Sequence, residues 1–113
     1  VRDYIHVEDL ADAHLRALDY LRNGGASTTL NCGYGHGYSV REVLRTVERV
    51  CGHALVVEEC PRRAGDPPSL VAHADRIRAA LGWIPRFDDL ETIVRTQLDW
   101  ECRLLREPAL QRK

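Results

Sequence analysis

Two short polar segments of this 113-residue sequence each place arginine close to a carboxylate. The first is Arg2-Asp3, and the second, much later in the chain, is Arg62-Arg63-Ala64-Gly65-Asp66-Pro67. A guanidinium group is planar, stays charged and offers paired donors that match phosphate oxygens. Arg2 and Arg63, coming from separate parts of the chain, are therefore candidates to grip a diphosphate together. The alternative is that each arginine forms an ordinary surface ion pair, worth ~0–1 kcal/mol.

The composition of the chain argues against several classes of function. The net charge is −1, from 16 basic and 17 acidic residues, so the basic excess typical of nucleic-acid binding is missing. No apolar run approaches the ~20 residues of a membrane span, and the sequence does not open with a signal-peptide pattern. We therefore predict a cytoplasmic protein with no nucleic-acid and no membrane partner.

The cysteines and histidines show no spacing that is typical of a metal site. The four cysteines do not form a C-x-x-C pair, and the five histidines lack the short intervals of zinc ligands. We predict reduced thiols that are mostly packed, and no bound metal.

Hydrophobic residues recur at helical spacing in four segments. The clearest start signal is a capping box, in which Ser39 and Glu42 satisfy the free amides of a helix end reciprocally. Glycines supply most of the stop signals. The predicted helices begin near Glu8, Val40, Asp75 and Leu90, and the first three end at residues 23–25, Gly52 and Gly82.

Two other segments, residues 28–32 and 54–58, are apolar or β-branched and predict strands, and residues 4–7 predict a short extended run. Residues 60–69 hold three prolines and a glycine and predict a loop. The predicted fold class is therefore α/β, helix-rich, with two or three short strands. That is thin for a complete doubly wound sheet.

Gly33-Tyr34-Gly35-His36-Gly37 lies between a predicted strand and a predicted helix, where a dinucleotide-binding loop would lie. The dinucleotide fingerprint requires glycine or alanine at position 38, which is tyrosine here. The pattern favours a turn that leads into the helix, with a cofactor loop as the alternative.

Four blocks of the sequence, residues 2–14, 30–40, 62–67 and 74–83, together resemble the nucleotide-sugar epimerases of the extended short-chain dehydrogenase/reductase superfamily. The UDP-glucose 4-epimerase family is the most similar. The resemblance implies that residues 1–107 are the C-terminal, UDP-sugar-binding portion of a Rossmann-type enzyme and that residues 108–113 are a frayed tail. It also implies that the N-terminal NAD-binding domain and the catalytic Tyr-x-x-x-Lys pair are absent, so no residue here is expected to be catalytic or to bind NAD.

The same resemblance implies polar roles for four residues. Arg2 and Arg63 would clamp the diphosphate of the UDP-sugar. Asp66 would accept a hydrogen bond from a ribose hydroxyl, and Tyr4 is a further candidate for a phosphate hydrogen bond.

Two apolar residues complete the implied site. Val40 would offer an apolar face near the uracil. Leu70 falls where the family has a residue that gates the size of the sugar: tyrosine restricts the pocket to hexoses, and a small residue admits N-acetylated sugars. Leucine is neither, so the sugar scope stays open.

The activity implied for the parent protein is the NAD-dependent interconversion of UDP-galactose and UDP-glucose by a homodimer. We expect the present chain to be inactive alone. One alternative is another nucleotide-sugar enzyme of the superfamily, either a UDP-glucuronate decarboxylase or epimerase or a dTDP-glucose 4,6-dehydratase. The other alternative is a non-enzymatic remnant.

Overall fold

The computed structural model describes residues 1–111, and these residues form four α-helices and a short 3-10 helix. The α-helices are α1 (Val7–Arg22), α2 (Val40–Cys51), α3 (Asp75–Leu81) and α4 (Leu90–Arg106), and the 3-10 helix is Pro108–Gln111. All four predicted helices are confirmed. The end of the predicted tail, residues 112–113, lies outside the described residues. None of the helices in residues 1–111 has the length and apolar character needed to cross a membrane.

The ends of α2 follow the predicted signals. The Ser39 hydroxyl accepts from the Glu42 amide at 3.1 Å, and the Glu42 carboxylate accepts from the Ser39 amide at 2.6 Å. At the other end Gly52 takes a left-handed conformation with φ +81°, which glycine adopts without the steric cost of a Cβ atom. These caps fix where α2 begins, and therefore where its first residue, Val40, stands.

Residues 28–32 and 54–58, which were predicted as strands, are not regular strands among the described residues. A strand forms only where a neighbouring segment pairs with its backbone, and β-branched composition does not supply that neighbour. The backbone pairing that does occur consists of two isolated bridges, antiparallel between Arg2 and Tyr38 and parallel between Arg2 and Leu70. These bridges join three distant segments at one point.

The core is small and centred on Trp83, which is fully buried. Ala13 of α1, Ala74, Ile77 of α3 and Tyr34 pack in the same cluster. The Tyr34 and Trp83 rings are nearly parallel, with centroids 6.5 Å apart. Burying such aromatic side chains stabilises a core by several kcal/mol, so Tyr34 anchors the glycine-rich turn to α1 and α3.

Asp9, on α1, is the polar centre of this core and is 1% exposed. Its carboxylate accepts hydrogen bonds from the Tyr34 hydroxyl at 2.6 Å and from the amides of Arg86 and Phe87 at 3.0 and 2.9 Å. Its backbone carbonyl accepts from the Trp83 indole N–H at 3.0 Å. Asp9 therefore ties α1 to the glycine-rich turn and to the segment that leads into α4.

Candidate functional site

Arg2 is held by the backbones of two other segments. Its amide donates to the Tyr38 carbonyl at 3.0 Å, and its carbonyl accepts from the Tyr38 amide at 2.8 Å. On the opposite side, the Val1 carbonyl accepts from the Leu70 amide at 3.0 Å. The first segment of the chain therefore lies between the start of α2 and the end of the proline-rich loop.

The Arg2 guanidinium reaches the second arginine motif. Its Nη1 donates to the Pro67 carbonyl at 3.1 Å and to the Val1 carbonyl at 2.9 Å. Within the described residues Arg2 forms no ion pair with Asp3, so the alternative of a surface ion pair does not describe Arg2. Because Pro67 directly follows Asp66, the first motif touches the loop of the second.

Arg63 lies on that loop and pairs with a carboxylate. Its Nε donates to Asp66 Oδ2 at 3.0 Å, and the Arg63 side chain is 85% exposed. Gly65, between them, has φ +84°, a backbone conformation that favours glycine and allows the tight turn. The alternative of an ordinary surface ion pair does describe Arg63 in this structure.

The other candidate residues lie on the segments that meet at Arg2. Val40 is the first residue of α2, two positions after Tyr38, and is 59% exposed. Leu70 is 60% exposed and pairs through its backbone with the first segment. Tyr4 is half-buried two positions after Arg2. The structure thus brings Arg2, the start of α2 and the loop ending at Leu70 together.

Asp3 is the residue of this site that the sequence reasoning missed. Its carboxylate accepts hydrogen bonds from the amides of Tyr34 at 3.0 and 3.1 Å, Gly35 at 3.0 Å and Ala72 at 3.3 Å. The available signal was an acidic residue in an extended segment together with a turn that has glycine at alternate positions.

The glycine-rich segment forms the predicted turn before α2, and two of its glycines allow close approach of the first segment. A Cβ atom on Gly33 would lie 2.6 Å from Asp3 Oδ2, and one on Gly37 would lie 3.0 Å from the Arg2 carbonyl oxygen. Gly35 has φ +86°. The glycines are therefore needed by the chain's own packing around Arg2 and Asp3.

The remaining polar side chains near the turn form surface contacts. His36 Nε2 lies 2.8 Å from Asp88 Oδ1, and both side chains are partly exposed. Among residues 1–111, no group of three or more His, Cys, Asp and Glu side chains is placed to hold a metal ion.

Comparison with known proteins relates nearly the whole chain to one group of enzymes. A profile of the NAD dependent epimerase/dehydratase family matches residues 1–33, which include Arg2 and Asp3. A UDP-glucose 4-epimerase from Azospirillum brasilense is 60% identical over 104 residues, which cover 92% of this chain and 30% of that protein. The chain is homologous to the C-terminal part of UDP-glucose 4-epimerases. It spans about 30% of the length of this relative.

Solved structures of UDP-glucose 4-epimerases give the same result for the fold. The UDP-Glc/GlcNAc 4-epimerase from Campylobacter jejuni aligns with a TM-score of 0.79 at 49% identity, over 90% of this chain and 31% of that one. The UDP-glucose 4-epimerase from Bifidobacterium longum, in complex with NAD+ and UDP, aligns with a TM-score of 0.82 at 35% identity, over 89% of this chain and 30% of that one. The helix-rich fold class predicted from the sequence is confirmed, and NAD is the cofactor of the family.

Proposed function

We propose that this chain is the UDP-sugar-binding portion of an NAD-dependent UDP-glucose 4-epimerase, which interconverts UDP-galactose and UDP-glucose. The observation that carries the proposal is the contact between the Arg2 guanidinium and the Pro67 carbonyl. The Arg2 guanidinium thus contacts the backbone one residue after Asp66, the residue with which the second cation, Arg63, is paired. The identity of 60% to a UDP-glucose 4-epimerase supports the same assignment.

Arg2 has the donors that a diphosphate needs. Both of its hydrogen bonds within residues 1–111 use Nη1 and go to neutral carbonyls. A guanidinium carries five N–H donors, so those on Nε and Nη2 are left for phosphate oxygens. Because the carbonyl contacts orient the group without neutralising it, the positive charge remains available to an anion.

Arg63 would exchange its present partner for the ligand. An exposed ion pair such as the one with Asp66 is worth ~0–1 kcal/mol, so giving it up costs little. A diphosphate offers the same guanidinium several charged oxygens in place of one carboxylate. The exchange also frees the Asp66 carboxylate to accept a hydrogen bond from a ribose hydroxyl.

The remaining candidate residues would contact other parts of the UDP-sugar. The exposed Val40 would contact the uracil, Tyr4 would donate to a phosphate, and Leu70 would stand near the sugar and set its allowed size. In this role the chain holds the UDP end and directs the sugar, which is a contribution of binding energy and orientation. We place the parent enzyme in the cytoplasm as a homodimer.

The residues of this chain do not fit NAD. The one glycine-rich turn before a helix in residues 1–111 directs its Tyr34 and Gly35 amides to the Asp3 carboxylate, so these donors are not available to a cofactor phosphate. We therefore assign no part of the hydride chemistry to this chain, and we expect it to convert no UDP-galactose to UDP-glucose when incubated with NAD.

Titration of the chain with UDP tests the proposal. We expect UDP to bind, and Arg2→Ala and Arg63→Ala each to raise the Kd by about tenfold or more, as loss of one charge-assisted hydrogen bond predicts. Uridine, which lacks the diphosphate, should bind all three proteins equally. Arg16→Ala is a matched control, because Arg16 pairs with Asp12 on α1. No binding of UDP, or variants with unchanged affinity, would contradict the proposal.

A further inference from the structure

We propose that Asp3 is a positioning residue for Arg2, and that the glycine-rich turn binds the Asp3 carboxylate in order to orient the diphosphate-binding arginine. The proposal rests on the proposed function of Arg2 as a ligand of a nucleoside diphosphate. It gives a function to the Asp3 carboxylate and to Gly33, neither of which is proposed to contact the ligand.

The Asp3 carboxylate contacts the same two segments of the chain as the backbone of Val1 and Arg2 does. The backbone around Arg2 pairs with Tyr38 on one side and Leu70 on the other. The Asp3 carboxylate then accepts from the turn that precedes Tyr38 and from Ala72, which follows Leu70. The same two segments are therefore fastened to the first segment twice. A rotation of the Arg2 backbone would break both sets of hydrogen bonds.

The turn has the geometry of an anion site that an internal anion fills. Successive backbone amides in a glycine-containing turn make a concave site for negative charge. Here Tyr34 and Gly35 supply adjacent amides, and Gly35 has φ +86°. The anion is the Asp3 carboxylate, and Gly33 leaves the room for it, since a Cβ atom at Gly33 would lie 2.6 Å from Asp3 Oδ2.

Asp3 positions Arg2 through hydrogen bonds with the backbone and not through an ion pair with the Arg2 guanidinium. The hydrogen bonds that its carboxylate accepts within residues 1–111 come from backbone amides, and the Arg2 guanidinium donates to the carbonyls of Val1 and Pro67 instead. Removing the carboxylate should therefore loosen the orientation of Arg2 while its charge and its side chain are unchanged. That distinguishes positioning from a direct contact with the ligand.

A double-mutant cycle on the 113-residue chain tests the proposal. The Kd of UDP is measured for the unchanged chain, Asp3→Asn, Arg2→Ala and the double variant. We expect Asp3→Asn to weaken UDP binding about tenfold when Arg2 is present and less than twofold in the Arg2→Ala background, because residues that act through one another are not additive. Asp12→Asn, which removes a carboxylate on α1, is the matched control and should change neither value.

Amide hydrogen exchange gives a second readout. In Asp3→Asn, protection should fall at Tyr34, Gly35 and Ala72 and stay unchanged in the interior of α2. The NMR signal of the Arg2 Nε–H should also move. These two measurements do not need a ligand, so they judge the positioning role even where UDP binding fails.

The outcomes separate the two proposals. Equal losses of affinity from Asp3→Asn in both backgrounds would mean that Asp3 only stabilises the fold, and would overturn the positioning role alone. Unchanged protection of the three amides, or an unmoved Arg2 signal, would overturn it as well. If the unchanged chain fails to bind UDP, the proposed function is wrong, and with it the assignment of the ligand.

Discussion

At the scale of single residues, hydrogen bonds outweigh burial in their effect on the pKa of Asp9, whose buried carboxylate is paired with Tyr34. Burial alone would raise the pKa of the Asp9 carboxyl, but hydrogen bonds from the Tyr34 hydroxyl and from the amides of Arg86 and Phe87 lower that pKa overall. Burial, together with the hydrogen bond to Asp9, strongly raises the pKa of the Tyr34 phenol. The folded chain therefore favours an ionised carboxylate beside a neutral phenol.

This pair predicts a loss of stability at both ends of the pH scale. A lowered folded pKa stabilises the fold above the unfolded value of about 3.9 and loses that contribution as pH falls through the folded pKa. A raised pKa of Tyr34 stabilises the fold below about 10 and loses that contribution at higher pH. Thermal melts across this range should show the melting temperature falling below about pH 4 and above about pH 10.

Asp9→Asn is the variant that tests the predicted loss of stability below about pH 4. It should lower the free energy of unfolding at neutral pH by about 2 kcal/mol, because asparagine has only one acceptor oxygen for the Tyr34 hydroxyl and the Arg86 and Phe87 amides and carries no charge. It should also flatten the dependence of stability on pH below about pH 4. Asp12→Asn, on the same helix, serves as the control. If the stability of Asp9→Asn fell below pH 4 as steeply as that of the unchanged chain, this account would be contradicted.

The sequence indicated part of the candidate site and not the rest. Arg2 and Arg63 could be proposed because arginine binds diphosphates well and because the blocks that hold them resemble the nucleotide-sugar epimerases, since residue type alone does not select two of fifteen arginines. The role of Asp3 could not be found in this way. It depends on residues 3, 34–35 and 72 meeting in space, which is a tertiary fact.

At the scale of elements, helices were predictable because their signals are local. The capping box at Ser39 and Glu42 and the glycine at position 52 lie within a few residues of the ends that they fix. Residues 28–32 show the opposite case. They contain β-branched residues, but a strand also needs a neighbouring segment to pair with, and the local sequence does not show whether one is present.

The sequence also did not predict the His6 cap of α1. Its imidazole Nδ1 accepts from the Glu8 amide at 3.0 Å, and histidine is not among the usual capping residues.

The cap of α2 should matter for stability and for the ligand site together. Ser39→Ala removes the hydroxyl that accepts from the Glu42 amide, which should lower the free energy of unfolding by about 1 kcal/mol and the melting temperature by about 5 °C. Because α2 begins directly after the backbone bridge of Tyr38 to Arg2, we also expect weaker UDP binding. Circular dichroism melts and UDP titration measure the two effects.

Ser27→Ala is the matched control for this prediction, since Ser27 is an exposed loop residue outside the segments that meet at Arg2. It should leave the melting temperature within about 1 °C, as surface substitutions usually do. Equal melting temperatures for Ser39→Ala and the unchanged chain would show that the capping box contributes nothing to the fold.

At the scale of the whole molecule, the chain is more open than a self-sufficient domain of its length. Its radius of gyration is 17.1 Å, whereas a compact domain of this length would have about 13 Å. Its accessible surface is 8639 Å², whereas a compact monomer of this mass would expose about 6,300 Å². An apolar groove also runs between α1, α3 and residues 28–32, with Leu10, Ala17, Leu21, Leu30 and Leu81 in its lining.

The open shape and the apolar surface of α1 predict that the isolated chain self-associates. Leu15, Leu18 and Leu21 of α1 are exposed, and contiguous exposed apolar surface favours association. We expect sedimentation velocity at micromolar concentration to show species larger than the monomer, and thermal melts to be broad.

The double variant Leu15→Gln, Leu18→Gln should shift the distribution of sedimenting species towards the monomer without loss of helical signal. Val56→Gln with Val57→Gln, on a different exposed segment, is the matched control and should have a smaller effect. A monomer with one sharp two-state melt would contradict this prediction, because it would mean that the small core around Trp83 stabilises the chain without any other surface to cover α1.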